Sequence, residues 1–174
     1  DCRSRSAAPV QTFAAFRDSV TSVVADGPEI VAGSVDGTVR SFDARLGRCA
    51  VDTLGTAVAC VRLSPDGGSI LAGCMGGRAA LLDRRSGCPL AEYRGHVQES
   101  CKLDCDLTDS GAPVVAGSED GRVLYWDLKG GAPACEFQAH RGAVCSLAWH
   151  PEGEMLLTAS QDGHCRVWRG SGRA

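Results

Sequence analysis

The stretch GSEDGRVLYWD at residues 117–127 passes through an Asp-Gly pair and then continues as an apolar run to Trp126-Asp127. The same pattern of a glycine-containing turn followed by an apolar run occurs as GSVDGTVRSFD at 33–43, GCMGGRAALLD at 73–83 and ASQDGHCRVWR at 159–169. The starts of these four stretches are 40, 44 and 42 residues apart. A period of about 40–45 residues is typical of repeats that each form four short strands. The sequence therefore predicts an all-β repeat protein.

The last repeat shows the strand pattern most clearly. Its apolar runs at 143–149, 155–160 and 165–168 are separated by the turn HPEG at 150–153 and the tight turn QDG at 161–163. Short apolar runs between such turns indicate antiparallel strands that follow one another in a meander. In a meander, alternate turns lie on opposite edges of the sheet. The loop before the first strand and the Asp-Gly turn are therefore expected on the same edge.

Composition limits the classes of partner. The chain has 174 residues, of which 44% are hydrophobic, and a net charge of −3 in which both signs are mixed. This length can bury a single-domain core, and the charge pattern disfavours direct binding of nucleic acid or anionic lipid. No apolar stretch approaches the roughly 18 residues of a membrane span, and the first ten residues lack the apolar core of a signal peptide. We expect an intracellular protein without a membrane partner.

Ten cysteines raise the question of a metal site or disulfides. The closest pair is Cys101 and Cys105, but the chain has no second close cysteine pair and no close histidine pair, which zinc sites usually require. Cys60, Cys145 and Cys165 fall in apolar runs, where a free thiol packs as a small hydrophobic group. Core packing is favoured, with redox, disulfide or metal roles as alternatives, and no metal or cofactor is predicted.

Four polar residues of the last repeat are expected to meet at the edge that carries the Asp-Gly turn. His140 precedes the first strand and Asp162 lies in the turn, while Thr158 and Trp168 lie on the strands that flank it. A neutral imidazole can donate to the carboxylate and bond the hydroxyl, which can also accept from the indole. The set resembles a Ser/Thr-His-Asp triad, but a buried structural network is the favoured interpretation.

The other repeats argue against catalysis. The third repeat has His96, Asp120 and Trp126 but Ala116 in place of the hydroxyl. The first two repeats lack the histidine and have Phe42 and Leu82 in place of tryptophan. A catalytic site would not be expected to lack one or more of its residues in most repeats, so we predict a protein that is not an enzyme.

These residues resemble WD-repeats. YRGH at 93–96 pairs with WD at 126–127, and AH at 139–140 pairs with VW at 167–168. Longer segments at 27–47, 92–107 and 114–128, including the strand CKLDC at 101–105, resemble the mitogen-activated protein kinase organizer family. The resemblance implies a β-propeller that acts as a scaffold for kinase-cascade components and is associated with the spliceosome. It also implies protein partners and a location in cytoplasm and nucleus.

The resemblance divides the chain into propeller blades. VQTF at 10–13 is interpreted as the last strand of a preceding blade, and Trp168 ends the third strand of the final one. A family propeller is expected to have about seven blades, so the sequence predicts about half of a ring whose last strand would come from the N-terminus. The predicted units are the end of a preceding blade at 1–16, blades at 17–54, 55–93 and 94–137, and an incomplete blade at 138–174.

Three functions remain open at this point. A non-catalytic interaction scaffold is favoured, with partner contacts predicted at four residues that flank the Asp-Gly turns: Arg94, Glu119, Arg141 and Gln161. The alternative is a substrate receptor of a cullin-RING ubiquitin ligase, because residues 30–45 resemble the WD-x-Arg box, with Phe42 in place of the tryptophan and Arg45 at its end. Arg45 is otherwise explained as a salt-bridged surface residue after an ordinary third strand. An RNA-contacting splicing subunit would depend on short basic segments at 83–87 and 2–5, which are better explained as solvated turns.

Overall fold

Short strands separated by glycine turns make up the whole described structure. The computed structural model describes residues 8–108, 113–150 and 155–169. Within these residues every regular element is a β-strand, and no helix is long and apolar enough to cross a membrane. The predicted all-β class is confirmed. The predicted turn at 150–153 falls mostly outside the described residues, as do the two ends of the chain.

The strands form four antiparallel sheets, each a meander in sequence order. The sheets and their strands are as follows: sheet 1 contains β1 (Val20–Asp26), β2 (Glu29–Ser34), β3 (Thr38–Asp43) and β4 (Arg48–Thr53); sheet 2 contains β5 (Val58–Leu63), β6 (Ser69–Cys74), β7 (Arg78–Asp83) and β8 (Pro89–Arg94); sheet 3 contains β9 (Cys105–Leu107), β10 (Pro113–Gly117), β11 (Arg122–Asp127) and β12 (Cys135–Gln138); sheet 4 contains β13 (Val144–Trp149), β14 (Met155–Ser160) and β15 (Cys165–Arg169).

The core lies between successive sheets. Side chains alternate between the two faces of a strand, so in β6 Ile70 packs toward sheet 1 while Leu71 packs toward sheet 3. In β10 Val114 packs toward sheet 2 and Val115 toward sheet 4. The central sheets are therefore buried on both faces, which explains why their strands read as continuous apolar runs. The result is a radial stack of sheets, the architecture of a β-propeller.

Aromatic side chains link two of the fourth strands, β8 and β12, to the next sheet. Tyr93 on β8 lies 6.0 Å from Trp126 on β11, between ring centroids. Phe137 on β12 lies 4.9 Å from Trp168 on β15 in an edge-to-face arrangement. Such pairs are worth about 0.5–1.5 kcal/mol beyond the area that they bury. These contacts align neighbouring sheets at their outer strands.

The two ends of the stack are open. Three apolar clusters join sheets 1 and 2, 2 and 3, and 3 and 4, and no fourth cluster joins sheet 4 to sheet 1 among the described residues. In β14 Leu156 is buried against sheet 3, whereas its neighbour Leu157 is 44% exposed. The described residues thus form an arc of four sheets with one uncovered face at each end.

Residues 10–13, predicted as a strand, form none. A strand is defined by hydrogen bonds to a neighbouring strand, and no described strand lies beside this segment. Phe13 instead stacks on Phe42 of sheet 1 with 4.6 Å between ring centroids, and Phe16 contacts the same ring edge-on. The segment from residue 8 to residue 19 therefore covers the outer part of sheet 1 as irregular chain.

The predicted strand at 101–105 is also corrected, because only Cys105 belongs to a strand. Lys102 Nζ donates to the carbonyl of Thr21 in sheet 1 at 2.7 Å, and the Asp104 N–H donates to the carbonyl of Cys145 in sheet 4 at 3.1 Å. The Lys102 ammonium and the Asp104 N–H thus bond to neighbouring sheets, whereas the Asp104 carbonyl accepts the Gly117 N–H of sheet 3 at 3.3 Å just before β9 begins.

The cysteines do not all pack as predicted. Cys60 is buried between sheets 2 and 3, and Cys145 is half-buried. Cys165 is exposed, because within the described residues no further sheet packs on the face of sheet 4 where it lies. The cysteines of the described residues are all free thiols.

Candidate functional site

Hydrogen bonds tie the turns of each sheet to the loop that enters the next sheet. The Leu54 N–H donates to the Gly37 carbonyl at 2.9 Å, the Gly76 N–H to the Gln98 carbonyl at 2.6 Å, and the Ala139 N–H to the Gly121 carbonyl at 3.0 Å. These loops and turns thus share one edge of the arc. We call this edge the Asp-Gly rim, and it consists of the turns at 35–37, 75–77, 118–121 and 161–164, the loops at 54–57, 95–104 and 139–143, and Arg94 at the end of β8.

The structure brings together all four residues of the predicted network in sheet 4. His140 Nδ1 lies 3.2 and 3.1 Å from the two carboxylate oxygens of Asp162, and Nε2 lies 2.7 Å from Thr158 Oγ1. Trp168 Nε1 donates to the same hydroxyl oxygen at 2.9 Å. The pattern assigns the imidazole proton to Nδ1, so that Nε2 accepts the hydroxyl hydrogen. Every polar group of the network then has a partner.

The carboxylate of Asp162 also holds the rim in place. It accepts the backbone N–H of Arg141 at 3.1 Å and that of His164 at 3.0 Å. Burial acts to raise the pKa of Asp162, but these two hydrogen bonds and the one from His140 outweigh it and lower the pKa. The charged carboxylate therefore connects the loop before β13 to the turn before β15.

The geometry favours structure over catalysis at this network. Thr158 is only 2% exposed, so its hydroxyl is not presented to a substrate. The hydroxyl oxygen is already occupied by the Trp168 N–H, whereas a nucleophile needs an oxygen free to attack.

Sheet 3 lacks the equivalent network. His96 is buried and its Nδ1 has no hydrogen-bond partner, while Asp120 bonds the Arg122 guanidinium at 2.8 Å instead. Trp126 Nε1 donates to the Arg94 carbonyl at 3.0 Å because Ala116 offers no hydroxyl. Burial lowers the pKa of His96 to about 4, so the imidazole is neutral near pH 7. Its ring packs edge-on to Trp126 with 5.6 Å between centroids.

Sheet 1 has Asp36 at the position of Asp162 but no histidine at the position of His140. Asp36 accepts the Arg17 N–H at 3.0 Å and both the N–H and the hydroxyl of Thr38, at 3.0 and 2.6 Å. Burial acts to raise the pKa of Asp36, but these hydrogen bonds outweigh it and lower the pKa to about 2. The aspartate therefore fixes the turn of this sheet without an imidazole partner.

Two of the predicted partner residues present exposed side chains on the rim. The Arg94 side chain is 66% exposed, and its Nε donates to Glu92 at 2.5 Å. Arg141 is exposed, and its backbone N–H is held by Asp162. Both guanidinium groups project from backbone that is fixed by hydrogen bonds.

The other two predicted partner residues make contacts within the rim. The Glu119 carboxylate accepts the N–H groups of Glu99, Ser100 and Cys101 at 2.9, 2.7 and 2.7 Å. Gln161 donates its amide to Cys101 Sγ at 3.3 Å. Both side chains therefore shape the loop before β9, in addition to any contact with a partner.

Sequence reasoning missed a polar contact at the inner strands. Asp104 accepts the Ser146 hydroxyl at 2.7 Å and lies 3.5 Å from the Arg62 guanidinium, so one carboxylate links sheets 2, 3 and 4. The only signal in the sequence was a charged residue within each of two apolar inner runs. Across residues 8–108, 113–150 and 155–169, no group of His, Cys, Asp and Glu side chains is arranged to hold a metal ion.

Replacing Thr158 by valine is expected to destabilise the fold. The change keeps the shape but leaves the Trp168 N–H and His140 Nε2 without partners, which costs about 1–3 kcal/mol. Thr158→Ser is the matched control because it retains the hydroxyl. Urea unfolding at pH 7 should give a lower midpoint for the valine variant than for the serine variant, and equal midpoints would contradict the network.

Buried His96 is expected to make stability depend on pH. Its pKa is about 4 in the fold against 6.5 in the unfolded chain, so between these values only the unfolded chain binds the proton. Stability should therefore rise with pH from 4 to 6.5, with a slope of at most about 1.4 kcal/mol per pH unit for one proton.

The test compares His96→Phe with the parent chain in urea unfolding at several pH values. The variant should show a smaller slope between pH 4 and 6.5, whatever its packing costs above pH 6.5. An unchanged slope would show that His96 is not the group responsible.

Comparison with known sequences identifies the repeat. The sequence model of the family described as "WD domain, G-beta repeat" matches residues 7–43, 87–127 and 131–169. WD repeat domain-containing protein 83 of Rattus norvegicus is 43% identical over 168 residues, which cover 97% of this chain and 53% of that protein. The Homo sapiens protein of that name is 44% identical over 166 residues, covering 95% and 52%. The chain spans about half the length of these curated relatives.

Solved structures share the fold. The computationally designed Ika4 protein aligns with a TM-score of 0.76 and 19% identity over 91% of this chain and 95% of its own. The designed Ika8 protein aligns with a TM-score of 0.77 and 19% identity over 91% of this chain and 48% of its own. The radial sheets, the recurring Asp-Gly turns and the family match together show that this chain belongs to the WD-repeat proteins.

Proposed function

We propose that this chain is part of a non-catalytic scaffold that binds other proteins through the Asp-Gly rim. The observation that carries the proposal is the contrast between fixed backbone and exposed charge at Arg94 and Arg141. Binding residues are commonly found on loops that a rigid scaffold positions. A partner would meet two guanidinium groups whose backbone needs no ordering on binding, which lowers the entropic cost.

The proposed partners are acidic or polar protein surfaces. Arginine side chains such as those of Arg94 and Arg141 bind carboxylates through two parallel hydrogen bonds. Resemblance to the mitogen-activated protein kinase organizer family supports kinase-cascade or spliceosome components as these partners, and similarity to WD repeat domain-containing protein 83 supports a WD-repeat interaction protein. Such partners would place the protein in the cytoplasm and nucleus.

Charge reversal on the rim is expected to weaken partner capture. Arg94→Glu combined with Arg141→Glu should lower affinity about tenfold or more, equivalent to about 1.4 kcal/mol, without lowering the melting temperature. Capture would be measured by affinity purification with crosslinking, followed by a binding titration with the protein identified.

The matched control reverses two arginines on the opposite edge, Arg48→Glu with Arg85→Glu, which changes the net charge by the same amount. Both residues are exposed. The control should retain capture. Equal capture by the rim variant would move the partner site away from the Asp-Gly rim.

A substrate receptor of a cullin-RING ubiquitin ligase is the second candidate. This candidate depends on Arg45, whose side chain is 72% exposed and whose Nε lies 3.7 Å from Asp43 Oδ1. The side chain is therefore accessible from the edge opposite the Asp-Gly rim. Arg45→Ala should then remove a cullin adaptor from the purified complex while the melting temperature stays unchanged. If this variant retained every partner, the ligase-receptor hypothesis would be rejected and the scaffold hypothesis would remain.

A further inference from the structure

Two thiols at the junction of sheets 3 and 4 share a contact with Gln161. Cys101 lies in the loop before β9, Cys145 is the second residue of β13, and both are half-buried. The side-chain amide of Gln161 donates to Cys101 Sγ at 3.3 Å. A residue of the last Asp-Gly turn thus contacts the sulfur that belongs to the loop of the preceding sheet.

Cys145 lies close enough to Cys101 for the two thiols to interact electrostatically. Burial and the neighbouring Cys101 thiol raise the pKa of Cys145, whereas hydrogen bonds from the backbone N–H and the side chain of Gln161 act to lower it. Cys145 Sγ also donates to the Ala143 carbonyl at 3.5 Å, and the same carbonyl accepts the Gln161 N–H at 3.0 Å. Gln161 is therefore a neighbour of both sulfurs.

The backbone places the two cysteines on adjacent segments. The Asp104 N–H donates to the Cys145 carbonyl at 3.1 Å, so the chain just after Cys101 runs beside β13. The Cys101 N–H is held by Glu119 at 2.7 Å, and its carbonyl accepts the Gln98 side-chain amide at 3.3 Å. Because Cys101 is in a loop, it can adjust to the Cα separation of about 4.4–6.8 Å that a disulfide needs without breaking a strand pair.

Cys60 and Cys105 form another close pair, but they are enclosed between sheets 2 and 3. Cys60 Sγ donates to the Cys105 carbonyl at 3.7 Å, and the two residues are 0% and 2% exposed. The reactivity of a thiol depends on its access to solvent as well as on its thiolate character. A dissolved oxidant does not reach these two sulfurs in the folded protein, so this pair packs as small hydrophobic groups.

We propose that Cys101 and Cys145 are a site of reversible oxidation, at which a disulfide of low molecular mass, such as oxidised glutathione, converts the two thiols into a disulfide bond. The site is additional to the partner contacts proposed for the Asp-Gly rim. Its distinguishing feature is the combination of a neighbouring second thiol with partial exposure, which the enclosed pair lacks.

The reaction consists of two thiol–disulfide exchanges. Cys101 loses its proton to solvent, and its thiolate attacks one sulfur of oxidised glutathione, so that a bond between Cys101 and one glutathione forms and the other glutathione leaves. The Cys145 thiolate then attacks Cys101 Sγ, which forms the protein disulfide and releases the second glutathione. The two protein thiols lose two electrons and two protons in total, and oxidised glutathione takes up both to become two glutathione thiols.

The structural consequence is a covalent bond between sheets 3 and 4. In the reduced protein these sheets are joined at this place by hydrogen bonds, such as the one from the Ser146 hydroxyl to Asp104 at 2.7 Å. The disulfide would fix the loop before β9 to β13. It would also remove Cys101 Sγ as the acceptor of the Gln161 amide.

The first test treats the purified, folded protein with oxidised glutathione, stops the reaction with acid, alkylates the remaining thiols and maps the disulfides by mass spectrometry. The main disulfide within the chain is expected between Cys101 and Cys145, with Cys60 and Cys105 recovered as alkylated thiols. A disulfide between Cys60 and Cys105 in its place, or a Cys101 thiol that does not react, would overturn the proposal.

Single substitutions identify the second thiol. Cys145→Ser should retain one glutathione on Cys101, because no neighbouring thiol is left to displace it. Cys49→Ser is the matched control, because Cys49 is an exposed cysteine in sheet 1, and this variant should form the Cys101–Cys145 disulfide as the parent does. If Cys101 lost its glutathione in the Cys145→Ser variant as it does in the parent, another thiol would be its partner and the pairing would be wrong.

Reversibility and the need for the fold are measured on the same samples. Excess reduced glutathione should restore both thiols, and the circular dichroism spectrum should stay unchanged through the cycle. In urea every cysteine becomes accessible, so the preference for Cys101 and Cys145 should be lost. If the disulfide formed in urea but not in the folded protein, the folded protein would not contain the site and the proposal would be overturned.

Discussion

The apolar face of each sheet can be buried only by the next sheet in the stack, and the rest of the structure depends on this constraint. Ile70 and Leu71 are adjacent in sequence but are buried in different interfaces. No sheet among the described residues has a core of its own, as is general for repeat proteins whose units stack on their neighbours. The aromatic contact of Tyr93 with Trp126 then aligns an outer strand with the following sheet.

Polar contacts also stabilise the stacked sheets, and these contacts differ from one sheet to another. Sheet 4 uses His140, Thr158 and Asp162 in a complete network, whereas sheet 1 anchors Asp36 through backbone amides and a threonine. Sheet 3 has His96 without a partner for Nδ1. The equivalent Asp-Gly turn is present in sheets 1, 3 and 4 although the polar side chains around it differ. The repeats therefore share a backbone geometry rather than one set of side chains. These turns fix the backbone that carries the exposed arginines of the Asp-Gly rim, and the proposed binding surface depends on that backbone.

The same arrangement produces two unlike surfaces. The rim is polar and its backbone is hydrogen-bonded, which suits reversible contacts with folded proteins. Among the described residues, the sheet faces at the two ends of the arc carry exposed apolar side chains such as Val23 and Leu157. These faces and the rim lie at different places on the arc.

The sequence by itself determined the period, the order of strands and the residues of the sheet 4 network. These are local properties, because an Asp-Gly turn, alternating burial and a fixed spacing act within one repeat. The meander places the loop of His140 and the turn of Asp162 on one edge, so the pairing of these two residues follows from strand order alone. Phe42 and Leu82 likewise indicated which repeats depart from the pattern.

Only the tertiary structure decided which groups turn toward a neighbouring sheet. The Glu119 carboxylate accepts three backbone N–H groups of the loop before β9. In the same loop, the Lys102 ammonium bonds to sheet 1 and the Asp104 N–H bonds to sheet 4. Cys165 is exposed although it lies in an apolar run. Each outcome depends on whether another sheet lies within contact distance, and that distance is set by the stacking of whole sheets rather than by the residues of one repeat.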